Sequence, residues 1–477
     1  MKKNLKFIYC FKIVILSISI IIPVVFMNFK KNQVSEIDNR LLVDYEDIFN
    51  NENDINDVFR NIEAYINDRI GFRTSMVNAY TSAMDSMFDS LIHPSYEYGK
   101  DGHVYLKLPE NSVPLEFQET FSSFIKDFQD YCNERGIKFL YTLEPNKSSI
   151  YPEFLPEGYN RSTENLDYFT ELLEEKGVNF LNNVDTLLKA KESPEYENVL
   201  LFDREYDAGH WNETGAIVGF SAIIDRLNEL DNRIGSFDIN NYEEDTKINE
   251  TLVASNFVIN EETTVYNLKG DNIVYVEDYE DEIYRDEKFR YYTHYKNLTN
   301  TDAPRLLIFA GSYFNNKEKF ITNNFSEVMK IHNYTNVIDY EYYINLYNPD
   351  IVLFESTEYT NTGYHYPVNL MEEKIYTKSI NSYDNLLEDD FVNIDINNFE
   401  ISGDNITNFT LPIESDNLLY AYADINNRIL DSKISRNEDD LYLEFSIISE
   451  ELENIDSFDL YFVSEDEEKY QKVTVKV

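Results

Sequence analysis

Gly136-Ile137-Lys138-Phe139-Leu140-Tyr141-Thr142-Leu143 is the stretch on which the fold turns. The glycine ends an amphipathic helix that opens at Phe117, and the mostly apolar run after it reads as a buried strand. Moving outward, Leu166 to Lys176 has helical spacing, and Val178-Asn179-Phe180-Leu181 reads as the next strand. The pattern returns downstream in Arg305-Leu306-Leu307-Ile308-Phe309 and Asp350-Ile351-Val352-Leu353-Phe354-Glu355. Such alternation predicts an α/β domain over residues 94–380, a largely parallel sheet flanked by helices. Within it, Tyr98-Gly99-Lys100-Asp101-Gly102-His103-Val104-Tyr105-Leu106 predicts strand, Asp-Gly turn and strand. Residues of about 237–300 break the rhythm by alternating Val, Tyr and Thr with acids, and predict a β-rich insertion.

The two ends differ from this middle. Met1-Lys2-Lys3 precedes a mostly apolar run from Leu5 to Met27, closed by Lys30-Lys31. About 20 apolar residues suffice for a spanning helix. No small-x-small cleavage site follows, so residues 1–30 predict an uncleaved N-terminal transmembrane helix rather than a signal peptide. Residues 31–93 predict a helical stalk or packing region, with Phe59, Ile62, Tyr65 and Ile66 at helical spacing. Residues 385–477 hold short alternating strands between Asn/Asp turns and predict a small β-sandwich, a candidate carbohydrate-binding module. Its Tyr420 and Tyr422 are either core residues or sugar-stacking ones.

The chain has 477 residues and a formal net charge of −47. No basic stripe offers a nucleic acid its phosphate contacts. A surface this negative also disfavours a highly charged uronic-acid polymer as substrate. Two cysteines, Cys10 and Cys132, imply no disulfide framework. The histidines show no metal-ligand spacing, and neither metal nor cofactor is expected.

Two segments carry the chemistry. Asp207-Ala208-Gly209-His210-Trp211-Asn212-Glu213-Thr214-Gly215 sets an acid and an imidazole three apart before an apolar helix and includes the single tryptophan. An aspartate so placed orients the ring and leaves its other nitrogen as a base. Phe309-Ala310-Gly311-Ser312-Tyr313-Phe314 ends a strand in small residues and a serine, exposing a hydroxyl at the sheet edge with backbone N–H groups beside it.

Taken in order, these motifs resemble the SGNH hydrolase-like family of bacterial polysaccharide O-acetylation proteins, the alginate-acetylation type and its DHHW-type Gram-positive relatives. Glu36-Ile37-Asp38-Asn39-Arg40-Leu41-Leu42 resembles its E-x-x-N-R-x-L, and Tyr98 to Gly102 its G-K-D-G turn. Pro145-Asn146-Lys147-Ser148-Ser149-Ile150-Tyr151-Pro152 resembles P-x-K-x-x-I-Y-P, Asp207 to Gly215 resembles D-x-H-W-x-x-x-G, and Pro349-Asp350-Ile351-Val352 matches P-D-I-V. The resemblance spans residues 36–360. It departs in three places: Asp207 and His210 stand one residue further apart, Gly311 replaces an aspartate, and Tyr359 stands where an arginine often follows E-x-x-E.

The resemblance implies an SGNH-like fold with Ser312 as nucleophile, His210 as base and Asp207 as its orienting acid. It implies Asn146, Lys147, Trp211 and Tyr359 as substrate-binding residues. It further implies a single-pass, membrane-held O-acetyltransferase, working outside the cytoplasm on a polysaccharide and supplied with acetyl by a membrane-bound O-acyltransferase. A polysaccharide acetyl esterase using the same triad and a non-catalytic glycan-binding scaffold are the alternatives.

Overall fold

The computed structural model describes the chain except residues 1, 32, 36–40, 49–54, 89, 92, 94, 108–114, 160, 254, 256, 384–385, 395–398, 416, 438–439, 454 and 477. For residues 2–8, 55–57, 436–437 and 440 it describes the backbone alone. Most of the motif at Glu36 to Leu42 therefore lies outside the described residues.

A seven-stranded sheet forms the centre. Its order is Phe180–Asn182, Lys138–Glu144, Ile351–Thr357, Arg305–Ala310, Glu327–His332, Tyr292–Asn297 and Ile273–Tyr275. The first five are parallel. Strand alternation sorts the side chains onto two faces. Phe139, Tyr141, Leu307, Phe309, Val352 and Phe354 meet helix Leu115–Glu134 on one face. Leu140, Leu306, Ile308, Ile351 and Leu353 meet helix Glu213–Leu230 on the other. Every position of Ile351–Thr357 is buried, as a central parallel strand covered on both faces requires.

The expected insertion is smaller than the sequence suggested. Only the hairpin Tyr242–Thr251 with Val258–Leu268 stands apart from the sheet. Tyr292–Asn297 pairs antiparallel with Glu327–His332, and Ile273–Tyr275 pairs with it in turn, so both extend the central sheet. The shorter hairpin Tyr96–Tyr98 with Val104–Leu106 turns at Asp101 and Gly102, both at positive φ (54° and 76°), a conformation that Asp-Gly tolerates.

At the N-terminus, Lys2–Val25 is a helix. Its side chains are described only over residues 9–25, fewer than the about 20 a span needs. Among the described residues no helix is long and apolar enough to cross a membrane. Helices Ile55–Arg69 and Arg73–Phe88 follow. The buried Arg69 guanidinium donates to the Val43 and Lys30 carbonyls and to Asp44. Asp68 accepts the Val43 N–H at 3.0 Å, so the charges between the two helices dock the entering chain.

The C-terminal module is β-rich. The first half of strand Arg428–Asn437 pairs with Leu418–Ile425 and its second half with Asp440–Ile448, which folds the strands over Phe409, Leu430, Phe445 and Leu460. Asp431 binds Arg135 at 2.6 Å and the Tyr131 hydroxyl, fastening the module to the end of helix Leu115–Glu134. Tyr420 and Tyr422 are buried at this seam, with hydroxyls donating to the carbonyls of Tyr376 and Lys378. They are core residues and cannot stack on sugar.

Candidate active site

Strand Arg305–Ala310 ends at Gly311, and Ser312 opens a single 3₁₀ turn, Ser312–Phe314. Two contacts clamp that turn. The buried Tyr313 hydroxyl donates to the Pro145 carbonyl, and Trp211 Nε1 donates to the Tyr313 carbonyl at 3.3 Å.

Asp207 and His210 approach from the loop before helix Glu213–Leu230. Asn212 caps that helix by accepting the Gly215 N–H at 2.9 Å. Glycine is required within it at Gly219, where a Cβ would lie 2.3 Å from the Trp211 ring. The tryptophan seated there fixes the loop, and His210 faces Ser312.

The result is a connected triad. His210 Nε2 lies 2.9 Å from Ser312 Oγ. His210 Nδ1 lies 2.9 and 3.0 Å from the two oxygens of Asp207. Asp207 Oδ1 also accepts the N–H groups of Gly209 and His210 at 3.0 and 3.1 Å. The additional residue between Asp207 and His210 is absorbed in this turn. Burial by itself would raise the Asp207 carboxyl; the His210 ring, Lys317 and the Gly209 N–H outweigh it and hold the group below the usual carboxylate range.

The loop rests on a residue that sequence reasoning missed. Glu261, from hairpin strand Val258–Leu268, accepts three successive backbone N–H groups, those of Arg204, Glu205 and Tyr206, at 2.7, 2.8 and 2.5 Å. No local motif marks such a carboxylate, because its partners stand more than fifty residues away and are main-chain groups.

Lys147 and Trp211 are buried, and their side-chain polar atoms meet backbone carbonyls. Lys147 is buried, and its ammonium donates to the carbonyls of Val104, Asp203 and Arg204 at 2.7, 2.7 and 2.8 Å. Burial pushes that ammonium down to about 7, against the pull of Glu261, Asp203 and Asp207. Trp211 is 1% exposed and packs behind the histidine. Both side chains hold the surrounding backbone: the Lys147 ammonium and the Trp211 Nε1 donate to main-chain carbonyls.

Asn146 and Tyr359 lie at the ends of the strands on the Ser312 side of the sheet. The Tyr359 hydroxyl is buried close to Ser312, and burial raises its pKa while Ser312 opposes the rise. The Asn146 N–H donates to Glu358 Oε1 at 2.9 Å, and Glu358 pairs with Arg161 at 3.2 Å. Asn146 Oδ1 is buried without a partner among the described residues.

Gly311 also has a structural account. Its N–H donates to Glu355 Oε2 at 2.7 Å, and a Cβ at Gly311 would stand 3.7 Å from that oxygen. Strand Ile351–Thr357 thus supplies a carboxyl to the space beside Gly311. Burial pushes the Glu355 carboxyl up to about 7, against the pull of the Gly311 N–H and Lys330.

No curated protein sequence matches the chain. Several solved structures are similar to it. PatB1 from Bacillus cereus is 19% identical, with 55% of this chain and 96% of that one covered at a TM-score of 0.44. A DHHW family protein from Eubacterium siraeum is 14% identical, with 61% and 99% covered at a TM-score of 0.41. The O-acetyltransferase domain of Pseudomonas putida AlgJ is 14% identical, with 61% and 96% covered at a TM-score of 0.38. Residues 99–273, which include Asp207 and His210, match the family described as SGNH hydrolase-like domain, acetyltransferase AlgX.

Proposed function

We propose that the chain is an extracytoplasmic O-acetyltransferase that acts on a cell-surface or secreted polysaccharide through Ser312, His210 and Asp207. The observation that carries this reading is the continuous line of hydrogen bonds from Asp207 through His210 to Ser312 Oγ. A scaffold has no need of it.

The reaction runs in two steps. His210 Nε2 takes the Ser312 proton as Oγ attacks the acetyl carbonyl, and the proton passes to the leaving group. The sugar hydroxyl then gives its proton to the same nitrogen and attacks the acetyl-serine, and Ser312 leaves reprotonated. Asp207 stays ionised and stabilises the imidazolium in both steps. The Ser312 and Tyr313 N–H groups open the 3₁₀ turn and are not used by it, so they serve the oxyanion.

The acetyl supplier in this reading is a membrane-bound O-acyltransferase, and the N-terminal helix is the anchor that keeps the chain beside it. Ile13, Leu16, Ile20 and Val24 of that helix are exposed, which supports a lipid surrounding. Intact-mass analysis of the membrane fraction checks this: an uncleaved N-terminus is expected, and a chain starting near residue 30 overturns the anchor.

The test of the activity combines a chromogenic acetyl donor with an oligosaccharide acceptor. Acetylated sugar in excess over free acetate is expected, with an acetyl group on Ser312 in peptide mass spectra. Free acetate in large excess makes the protein an esterase. Absence of any Ser312 acylation makes it a scaffold.

A further inference from the structure

A shallow, open cleft lies beside the loop that carries Asp207 and His210. Ala208 and Gly209, the two residues between Asp207 and His210, form part of its lining. Glu97, Asn146, Ser148 and Tyr159 also face it. Tyr159 is 43% exposed, and Asn146 brings the unpartnered Oδ1.

The charges around this cleft are unevenly used. Lys147 is spent on three carbonyls, Arg161 on Glu358, Arg204 on Glu205 and Lys107 on the His93 carbonyl at 2.6 Å. The Glu97 carboxylate, by contrast, has no hydrogen bond or ion pair among the described residues, although the residue is half-buried. Burial raises its carboxyl above the ordinary value, with Lys107 opposing.

We infer that this cleft is the acceptor subsite, that it takes a sugar ring bearing no carboxylate, and that Glu97 determines this specificity. The inference rests on the acyl-transfer reading above. A ring carrying only hydroxyls donates to Asn146 Oδ1 and to Glu97 while its apolar face lies against Tyr159. A uronate ring brings a second carboxylate next to Glu97, where Lys107 already faces one negative charge. Two like charges so placed in a half-buried cleft repel each other, and specificity follows from that repulsion. Chain-wide negative charge acts in the same direction at longer range.

Equilibrium binding to the Ser312→Ala variant tests the subsite without turnover, using cellopentaose and an oligomannuronate of equal length at about 0.5 M salt, where long-range charge is screened. Cellopentaose is expected to bind roughly tenfold more tightly than the uronate. Glu97→Gln, nearly isosteric and checked by thermal melting, is expected to bring the ratio within about threefold. Asn146→Ala is expected to weaken cellopentaose about fivefold. Equal or tighter uronate binding overturns the inference, as does a ratio that Glu97→Gln leaves unchanged, and so does binding of neither sugar. Ser312 acylation by a chromogenic ester in the unaltered protein is read separately: its loss fails the acyl-transfer reading alone, whereas normal acylation with the wrong binding ratio fails the subsite alone.

Discussion

The Gly311 N–H points at Glu355 Oε2, 2.7 Å away across the boundary between two parallel strands. The residue before Ser312 therefore carries no carboxyl of its own and is held by one from the adjacent strand. A carboxyl buried there favours its neutral form, which is why its pKa rises to about 7.

That shift predicts a pH signature. The folded chain binds the Glu355 proton more tightly than the unfolded chain does. Its contribution is therefore most favourable below the ordinary glutamate value of 4.5 and is lost as pH rises from there to about 7. Glu355→Gln keeps an acceptor for Gly311 and removes this slope. Chemical denaturation at pH 4.5 and pH 8 is expected to show a difference between wild type and variant that changes by up to about 3 kcal/mol. Parallel curves would show that Glu355 does not titrate in this window.

Catalysis should follow the hydrogen-bond line. Ser312→Ala abolishes acetyl transfer from a chromogenic donor, and His210→Ala does nearly as much, because an unactivated hydroxyl is a poor nucleophile near neutral pH. Asp207→Asn disturbs the tautomer and orientation, with losses on the order of 10⁴-fold. The double variant Ser312→Ala/His210→Ala should be little worse than Ser312→Ala. Steady-state rates measured at one pH check all four.

Glu261 should matter for rate although it touches no reacting atom. Glu261→Ala strands three N–H groups of the catalytic loop, each worth about 1–3 kcal/mol if left without water. The expected result is a kcat loss that remains at temperatures where circular dichroism shows the variant fully folded. Glu261→Gln, which keeps one acceptor oxygen, should recover part of it. A variant with normal kcat but lower melting temperature would reduce Glu261 to a stabilising role.

The seam between the modules is a separate unit. Asp431→Ala leaves the buried Arg135 and the Tyr131 hydroxyl without their partner, at a cost of about 3–5 kcal/mol. Arg135 precedes the start of strand Lys138–Glu144, whereas Asn146 follows its end, so the seam and Ser312 sit at opposite ends of the sheet. Thermal melting should fall markedly while ester acylation at 25 °C is retained.

Much of this protein follows from local sequence. The run Ile137 to Leu143, the strands ending at Ala310 and Thr357 and the helices between them are written in apolar periodicity, which acts within a few residues and needs no knowledge of partners. The Asp-Gly turn at Asp101 and the Asn212 cap are local for the same reason. Asp207, His210 and Ser312 were recognisable from their two short segments and from the order of motifs, although 102 residues separate the histidine from the serine.

Contacts between distant main-chain and side-chain groups were decided only by the tertiary structure. Ile273–Tyr275 and Tyr292–Asn297 alternate like an insertion, yet become sheet strands because Glu327–His332 offers them an unpaired edge. Lys147 and Trp211 stand in motifs that suggest substrate contact, and folding instead spends their polar atoms on backbone carbonyls. Glu261 and Glu355 look like ordinary acids in the sequence, because a carboxylate that accepts remote N–H groups leaves no periodic trace. Sequence thus specified which elements form and which residues make up the candidate triad. The close approach of separate segments, driven by burial and by the need to satisfy every buried N–H, decided what holds those residues in place.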